Sequence, residues 1–175
     1  MGLDILLMRA LSIAVIVLGI AGVAPAAETY VATGIDPSGQ LYITTKRHRE
    51  ITPMKEADQV GFARPEIAPD GRAVGWLAMY SSPDTDYPLP LKLVVYDDGE
   101  QRAFKGTGLP IKRWCFEAGG KQVAFEQETV HGGIDAHYEL RDVVTGDLVE
   151  KFDPDPNADM PAKPPRWVVD VNSNP

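Results

Sequence analysis

Arg64-Pro-Glu-Ile-Ala-Pro-Asp-Gly-Arg-Ala-Val-Gly-Trp76 is answered, further along the chain, by Arg113-Trp-Cys-Phe-Glu-Ala-Gly-Gly-Lys-Gln-Val-Ala-Phe125. Each stretch is an apolar segment, a glycine turn and a second apolar strand. Each then leads to another apolar strand closed by an aspartate, Leu93-Val-Val-Tyr-Asp97 and Tyr138-Glu-Leu-Arg-Asp142. Gly71 and Gly120 lie 49 residues apart, and Asp97 and Asp142 lie 45 apart. Periods of that size mark arrays of small antiparallel meanders. The expected fold is therefore all-β, made of four-stranded antiparallel meanders, with a single β-sandwich or barrel as the alternative.

Within the first unit, Arg72–Tyr80 is apolar on both alternating sets of positions, which places it inside a sheet with both faces covered. Ser81–Pro90 is a polar, proline-rich loop. Leu91–Tyr96 is the next strand, and Asp97-Asp-Gly99 supplies the positive φ of a hairpin into Gln101–Lys105. The second unit repeats the plan with strands at Lys112–Phe116, Lys121–Glu128, His137–Val143 and Leu148–Phe152. Val130–Ala136 stands where Ser81–Pro90 stood. In His137–Val143, Tyr138 and Leu140 alternate with Glu139 and Arg141, so one face is expected to be wet. Upstream, Tyr30–Thr33 and Leu41–Thr45 flank a Pro-Ser-Gly turn and read as a shortened third copy. Ile51–Val60 has room for one helical turn, with Thr52-Pro53 as its start. Asp153–Arg166 carries five prolines and reads as an extended linker. Trp167–Val171 then reads as a terminal strand, free to pair with Tyr30–Thr33 or with a partner's sheet edge.

The Pro69-Asp-Gly-Arg72 turn with its following apolar strands, and Tyr138-Glu-Leu-Arg-Asp-Val-Val-Thr-Gly-Asp-Leu148, resemble the blades of TolB-like and WD-type β-propellers. The resemblance runs over Ile35–Phe152. It implies interaction surfaces and transfers no catalytic residue. A closed ring takes about four to eight blades, so two full units and part of a third are too few to close one.

The first 26 residues are expected to be a secretory signal peptide. Arg9 precedes the uncharged run Leu11–Gly22, and Ala24-Pro-Ala26 offers the small residues that precede cleavage. An uncleaved anchor spanning Ile5–Val23 is the alternative. The expected organisation is thus 1–26 signal peptide, 27–152 β-repeat domain, and 153–175 proline-rich tail with a terminal strand. Such a chain works in the periplasm or outside the cell and holds no membrane span once cleaved. Its formal charge of −8 disfavours phosphate backbones, so nucleic acid is not an expected partner. Its single cysteine, Cys115, leaves no internal disulfide, so stability must come from the core.

Chemistry-bearing patterns are few. There is no phosphate loop, nucleophile elbow or His-Glu-x-x-His helix. His131, Asp135 and His137 put imidazole and carboxylate in one loop, a donor set suited to a divalent transition metal, though in no established zinc spacing. Glu126 and Glu128 share a strand face. Lys46-Arg-His-Arg49 is the one basic cluster. Trp76 and Trp114 are expected in the core, leaving Trp167, with Tyr87, as the candidate exposed anchors for a partner.

Three readings follow. The first is a non-catalytic exported domain that binds a protein or cell-envelope component and needs no cofactor, with oligomer formation open to it. The second is a metal-dependent hydrolase using His131, Asp135 and His137. The third is an inhibitor that inserts the Ser81–Pro90 loop into an enzyme.

Overall fold

A computed structural model describes residues 28–131, 135–155, 157 and 162–174. The expected signal peptide lies outside the described residues. Eleven strands and one α-helix follow one another: β1 (Tyr30–Ile35), β2 (Leu41–Thr45), β3 (Glu50–Ile51), β4 (Gln59–Ile67), β5 (Ala73–Tyr80), β6 (Leu89–Asp97), β7 (Glu100–Phe104), β8 (Ile111–Glu117), β9 (Gln122–Gln127), β10 (His137–Asp142), β11 (Leu148–Phe152) and α1 (Arg166–Ser173). They form three antiparallel sheets in sequence order: β1-β2-β3, β4-β5-β6-β7 and β8-β9-β10-β11. The all-β expectation holds. Among the described residues the sheets do not join into a barrel.

Each sheet opens with a hairpin whose turn needs a left-handed residue. In the second sheet Gly71 has φ +73°, and Asp70 Oδ1 accepts the Arg72 N–H at 2.9 Å. In the third, Gly120 has φ +102°, and a Cβ there would stand 2.9 Å from Ala68 Cβ, because this turn packs on the second sheet's turn. In the first, Asp36 Oδ1 accepts the N–H groups of Ser38 and Gln40, and the shortened copy forms a full hairpin. The first sheet has no fourth strand among the described residues.

The sheets stack face to face in chain order. β5 makes this possible, because both its faces are apolar. Val74, Trp76 and Ala78 join Tyr30, Leu41, Ile43 and Tyr96 in one core layer between the first and second sheets. Ala73 and Leu77 join Trp114, Val123 and Phe125 in another, between the second and third. Gly75 carries no side chain because the Trp114 ring lies on it, 2.4 Å from where a Cβ would be. The far face of the third sheet is covered by α1, whose Trp167, Val168 and Val171 meet Ala124, Tyr138 and Leu140.

Three local expectations are overturned. Trp167–Val171 is helical and does not pair with β1. Trp167, Val168 and Val171 share one face at helical spacing, and docking that stripe on the third sheet outweighs the β preference of valine. The segment after Ile51 forms no helical turn. Instead, Glu50–Ile51 pairs with β2, and Pro53 is buried under the Gln40 side-chain amide. The wet face of β10 is covered at Glu139, which is 5% exposed, because Arg141 and His137 close over its carboxylate.

Candidate functional site

In a four-stranded meander, the loop from second to third strand and the crossing to the next sheet share one end. Loop 81–88, residues 128–131 and 135–136, and the crossing 105–110 therefore gather at one end of the stack. There the start of β6, the start of β8 and the loop after β9 enclose a cleft of about 260 Å3. Leu89 and Pro90 form one wall, and Pro110, Ile111 and Val130 line it with them. Proline suits these strand starts, since it supplies no ladder N–H and holds φ. Across the mouth, Lys112 Nζ pairs with the Glu128 carboxylate, which raises the Lys112 pKa. The Glu128 N–H is held by Pro110 O at 3.1 Å.

The cleft rests on a fixed base. Gln127 is fully buried, and its amide is satisfied on every side. Nε2 donates to Lys105 O at 3.0 Å and Leu109 O at 2.6 Å, and Oε1 accepts from Thr107 N at 2.8 Å and Thr107 Oγ1 at 3.2 Å. Within crossing 105–110 the Gly108 N–H donates to Lys105 O at 3.0 Å, and a strand-end glutamine adds the partners for Leu109 O and the Thr107 N–H. Gly106, at φ +53°, is required there, since a Cβ would meet Gln127 Oε1 at 1.9 Å.

The sequence candidates fall unevenly around this end. Tyr87 lies on loop 81–88, two residues before Leu89, and is 53% exposed. His131 follows Val130 and is exposed, as is Asp135. His137 is turned to other work. Its Nδ1 pairs with the Asp153 carboxylate, and its Nε2 lies 3.0 Å from Glu139 Oε1. Glu139 in turn accepts from Arg141 Nε at 2.5 Å. Among the described residues no group of three or more His, Cys, Asp or Glu side chains is arranged to hold a metal ion, so His131, Asp135 and His137 do not converge as ligands.

Trp167 is not an exposed anchor. It is 7% exposed in the core of the α1 interface, with Nε1 donating to Glu150 Oε2 at 3.0 Å. Glu126 and Glu128 do not form an acid/base pair either. Glu126 is buried against Tyr138 Oη, while Glu128 is engaged by Lys112. Burial pushes the Cys115 thiol up to about 12, so the thiolate needed for nucleophilic attack is not populated at neutral pH. In the basic cluster, Arg49 is paired with Glu28.

Sequence reasoning passed over the cleft itself, although a signal was present. Leu-Pro occurs twice, as Leu89-Pro90 and Leu109-Pro110, at the mouths of adjacent sheets. It also passed over Gln127, which alternation alone reports as one more polar strand end.

No protein-family model matches the chain, and no curated protein matches it. Among solved structures, hydrazine synthase of Kuenenia stuttgartiensis is similar with a TM-score of 0.44 and 22% identity, over 73% of this chain and 34% of that one. The chain therefore matches about a third of that protein's length, at a similarity too distant to transfer any activity.

Proposed function

We propose that this protein is an exported, non-catalytic binding domain, built of sheets arranged like β-propeller blades, whose loop end holds a protein or cell-envelope partner. The Leu89, Pro90, Pro110, Ile111 and Val130 cleft carries the reading. It is a recess with an apolar wall on a rigid base and an ion pair at its mouth, and the exposed Tyr87 stands two residues before Leu89 in the chain. An apolar centre with a polar rim and a nearby aromatic is the composition that binding hot spots favour. The cleft is small enough to take one apolar side chain of a partner, with Tyr87 packing beside it. Export rests on Arg9, the Leu11–Gly22 run and Ala24-Pro-Ala26, and implies cleavage after Ala26.

A photoreactive residue placed at Val130 tests the site in the native compartment. The expected result is a discrete cross-linked partner that is lost in the Tyr87→Ala and Leu89→Asp backgrounds while folding is kept. Cross-linking that is absent, or indifferent to both substitutions, overturns the assignment of this end.

A further inference from the structure

The second and third sheets also part along their rims, away from the loop-end cleft. Strand β7 and the turn joining β10 to β11 line a cleft of about 400 Å3. Three cations line it, Arg102, Lys105 and Arg141, and no carboxylate is among the described lining residues. In a chain of formal charge −8, this is a local concentration of cations.

The cations are differently committed. Arg141 is fixed in its plane, with Nε on Glu139 Oε2 at 2.5 Å and Nη1 on Gly146 O at 3.0 Å. Arg102 Nη1 reaches the neighbouring carbonyl, Thr145 O, at 3.3 Å, and Arg102 makes no ion pair among the described residues. The carboxylate in range of its charge, Asp142, already accepts the N–H groups of Val144 and Thr145. Lys105 makes no side-chain hydrogen bond or ion pair among the described residues, and its charge is felt by Glu56. Two guanidinium groups thus converge on one glycine turn, with an uncommitted ammonium beside them. Planar guanidinium forks match oxyanions bidentately, and one carboxylate cannot satisfy two forks and an ammonium.

We propose that this rim cleft binds a phosphate-bearing ligand, with the phosphoryl oxygens between Arg102 and Arg141 and Lys105 at the edge as a point charge. The open side leaves room for whatever the phosphate is esterified to. That group could be a small soluble alcohol or the glycerol of a lipid headgroup, and the two sources are separable.

The test is titration of purified protein with inorganic phosphate and with glycerol 3-phosphate, observed at the arginine Nε–H resonances. In parallel, co-sedimentation is measured with phosphatidylglycerol and with phosphatidylcholine vesicles. Saturable shifts at Arg102 and Arg141 are expected. Arg102→Ala and Lys105→Ala, both at exposed positions, should each weaken binding about tenfold. Lys151→Ala, outside the cleft, should leave binding unchanged. Response to glycerol 3-phosphate alone assigns a soluble ester. Vesicle binding that needs phosphatidylglycerol and Arg102 assigns a headgroup. The proposal fails if neither phosphate nor vesicle binds. It also fails if both cleft variants bind like the parent, or if Lys151→Ala loses as much as Arg102→Ala, since that would be diffuse attraction without a site.

Discussion

In the second sheet the central strand β5 presents apolar side chains to both sides, and a sheet lies against each of its faces. In the third, the central strand β9 sends its large apolar side chains, Val123 and Phe125, toward the second sheet. On its other face it offers Ala124 and Glu126, and a helix covers it instead of a sheet. The cover matches the face. Glu126 is buried at 4% exposure, with Tyr138 Oη at 3.3 Å from its Oε1 and Arg113 Nη1 at 3.4 Å from its Oε2, the latter an ion pair without hydrogen-bond geometry. Asn172 of α1 completes the group by accepting from Arg113 Nη1 at 3.1 Å and Tyr138 Oη at 3.2 Å. The helix thus brings a polar side chain, Asn172, to the polar position on that face, which a neighbouring sheet of valines would not. The helix therefore works as a terminal cap specific to one sheet face.

The comparison breaks most severely at the joint between the two sheets. Trp114 is fully buried, sets the Cη2–Cζ3 side of its ring against Gly75 and packs edge-on to Phe116 at 5.3 Å. Trp114→Ala should cost about 3–5 kcal/mol, measured by chemical denaturation. Gly75→Val drives a side chain into the same ring and should cost about 1–3 kcal/mol or more. The double variant should be less damaged than the sum, because the removed indole makes room for the new methyl groups. Strict additivity would show that the two residues do not share the joint.

The next effect is polar. Gln127→Leu keeps the volume but strips partners from Lys105 O, Leu109 O and the Thr107 N–H, for an expected loss of about 3 kcal/mol. It should also loosen crossing 105–110, seen as faster amide exchange at Thr107, and so weaken any binding at the loop-end cleft. Unchanged exchange at Thr107 would deny Gln127 its organising role.

At the cap, Trp167→Ala should cost less than Trp114→Ala, because α1 can undock where a sheet cannot. The expected signature is loss of amide protection confined to α1 and β9–β11, with β5 and β6 protected as before. Loss of protection spread evenly over both sheets would make α1 part of one indivisible core.

How far these features could be read from the chain follows from the range of the interactions that decide them. The twin meanders were legible because strand alternation and glycine turns are local. Arg72–Tyr80, apolar on both sets, already announced two covered faces. The helix was not legible as such, because Trp167-Val-Val-Asp-Val171 carries both a β-branched composition and a helical stripe. The choice is made by a partner surface, Ala124, Tyr138 and Leu140, drawn from two distant strands. For the same reason Trp167 could not be placed. The loop-end cleft was half legible. Its loops were found as interruptions in the pattern, but its walls pair strand starts about twenty residues apart across two sheets, which periodicity does not report. His137 was recognised as chemistry-bearing, yet its partners are Glu139, two residues on along its own strand, and Asp153, just past the end of the next strand.

The smallest effect distinguishes how the two sheets are pinned at the loop end. In the second sheet, Lys92 and Tyr80 hold Glu56, and Lys92 lies over the Tyr80 ring at 5.1 Å. In the third, His137 and Lys151 hold Asp153, whose side chain is 50% exposed. The hydrogen bond from Lys92 lowers the Glu56 pKa, and that from His137 lowers the Asp153 pKa. A carboxylate with a depressed folded pKa contributes stability that is complete above its unfolded pKa, near 4, and is lost as the pH falls through the folded value. Both carboxylates are solvent-accessible enough for screening to keep each contribution at or below about 1 kcal/mol. Glu56→Gln and Asp153→Asn should therefore each destabilise slightly at pH 7, and by less as the pH is lowered below the ordinary carboxylate range. Added salt should shrink the Asp153 effect the more, since that pair is the more exposed. Denaturation midpoints followed from pH 7 into the acid range, with and without salt, decide it. A destabilisation by Asp153→Asn that does not shrink on acidification would mean that the side chain acts by packing and not by charge.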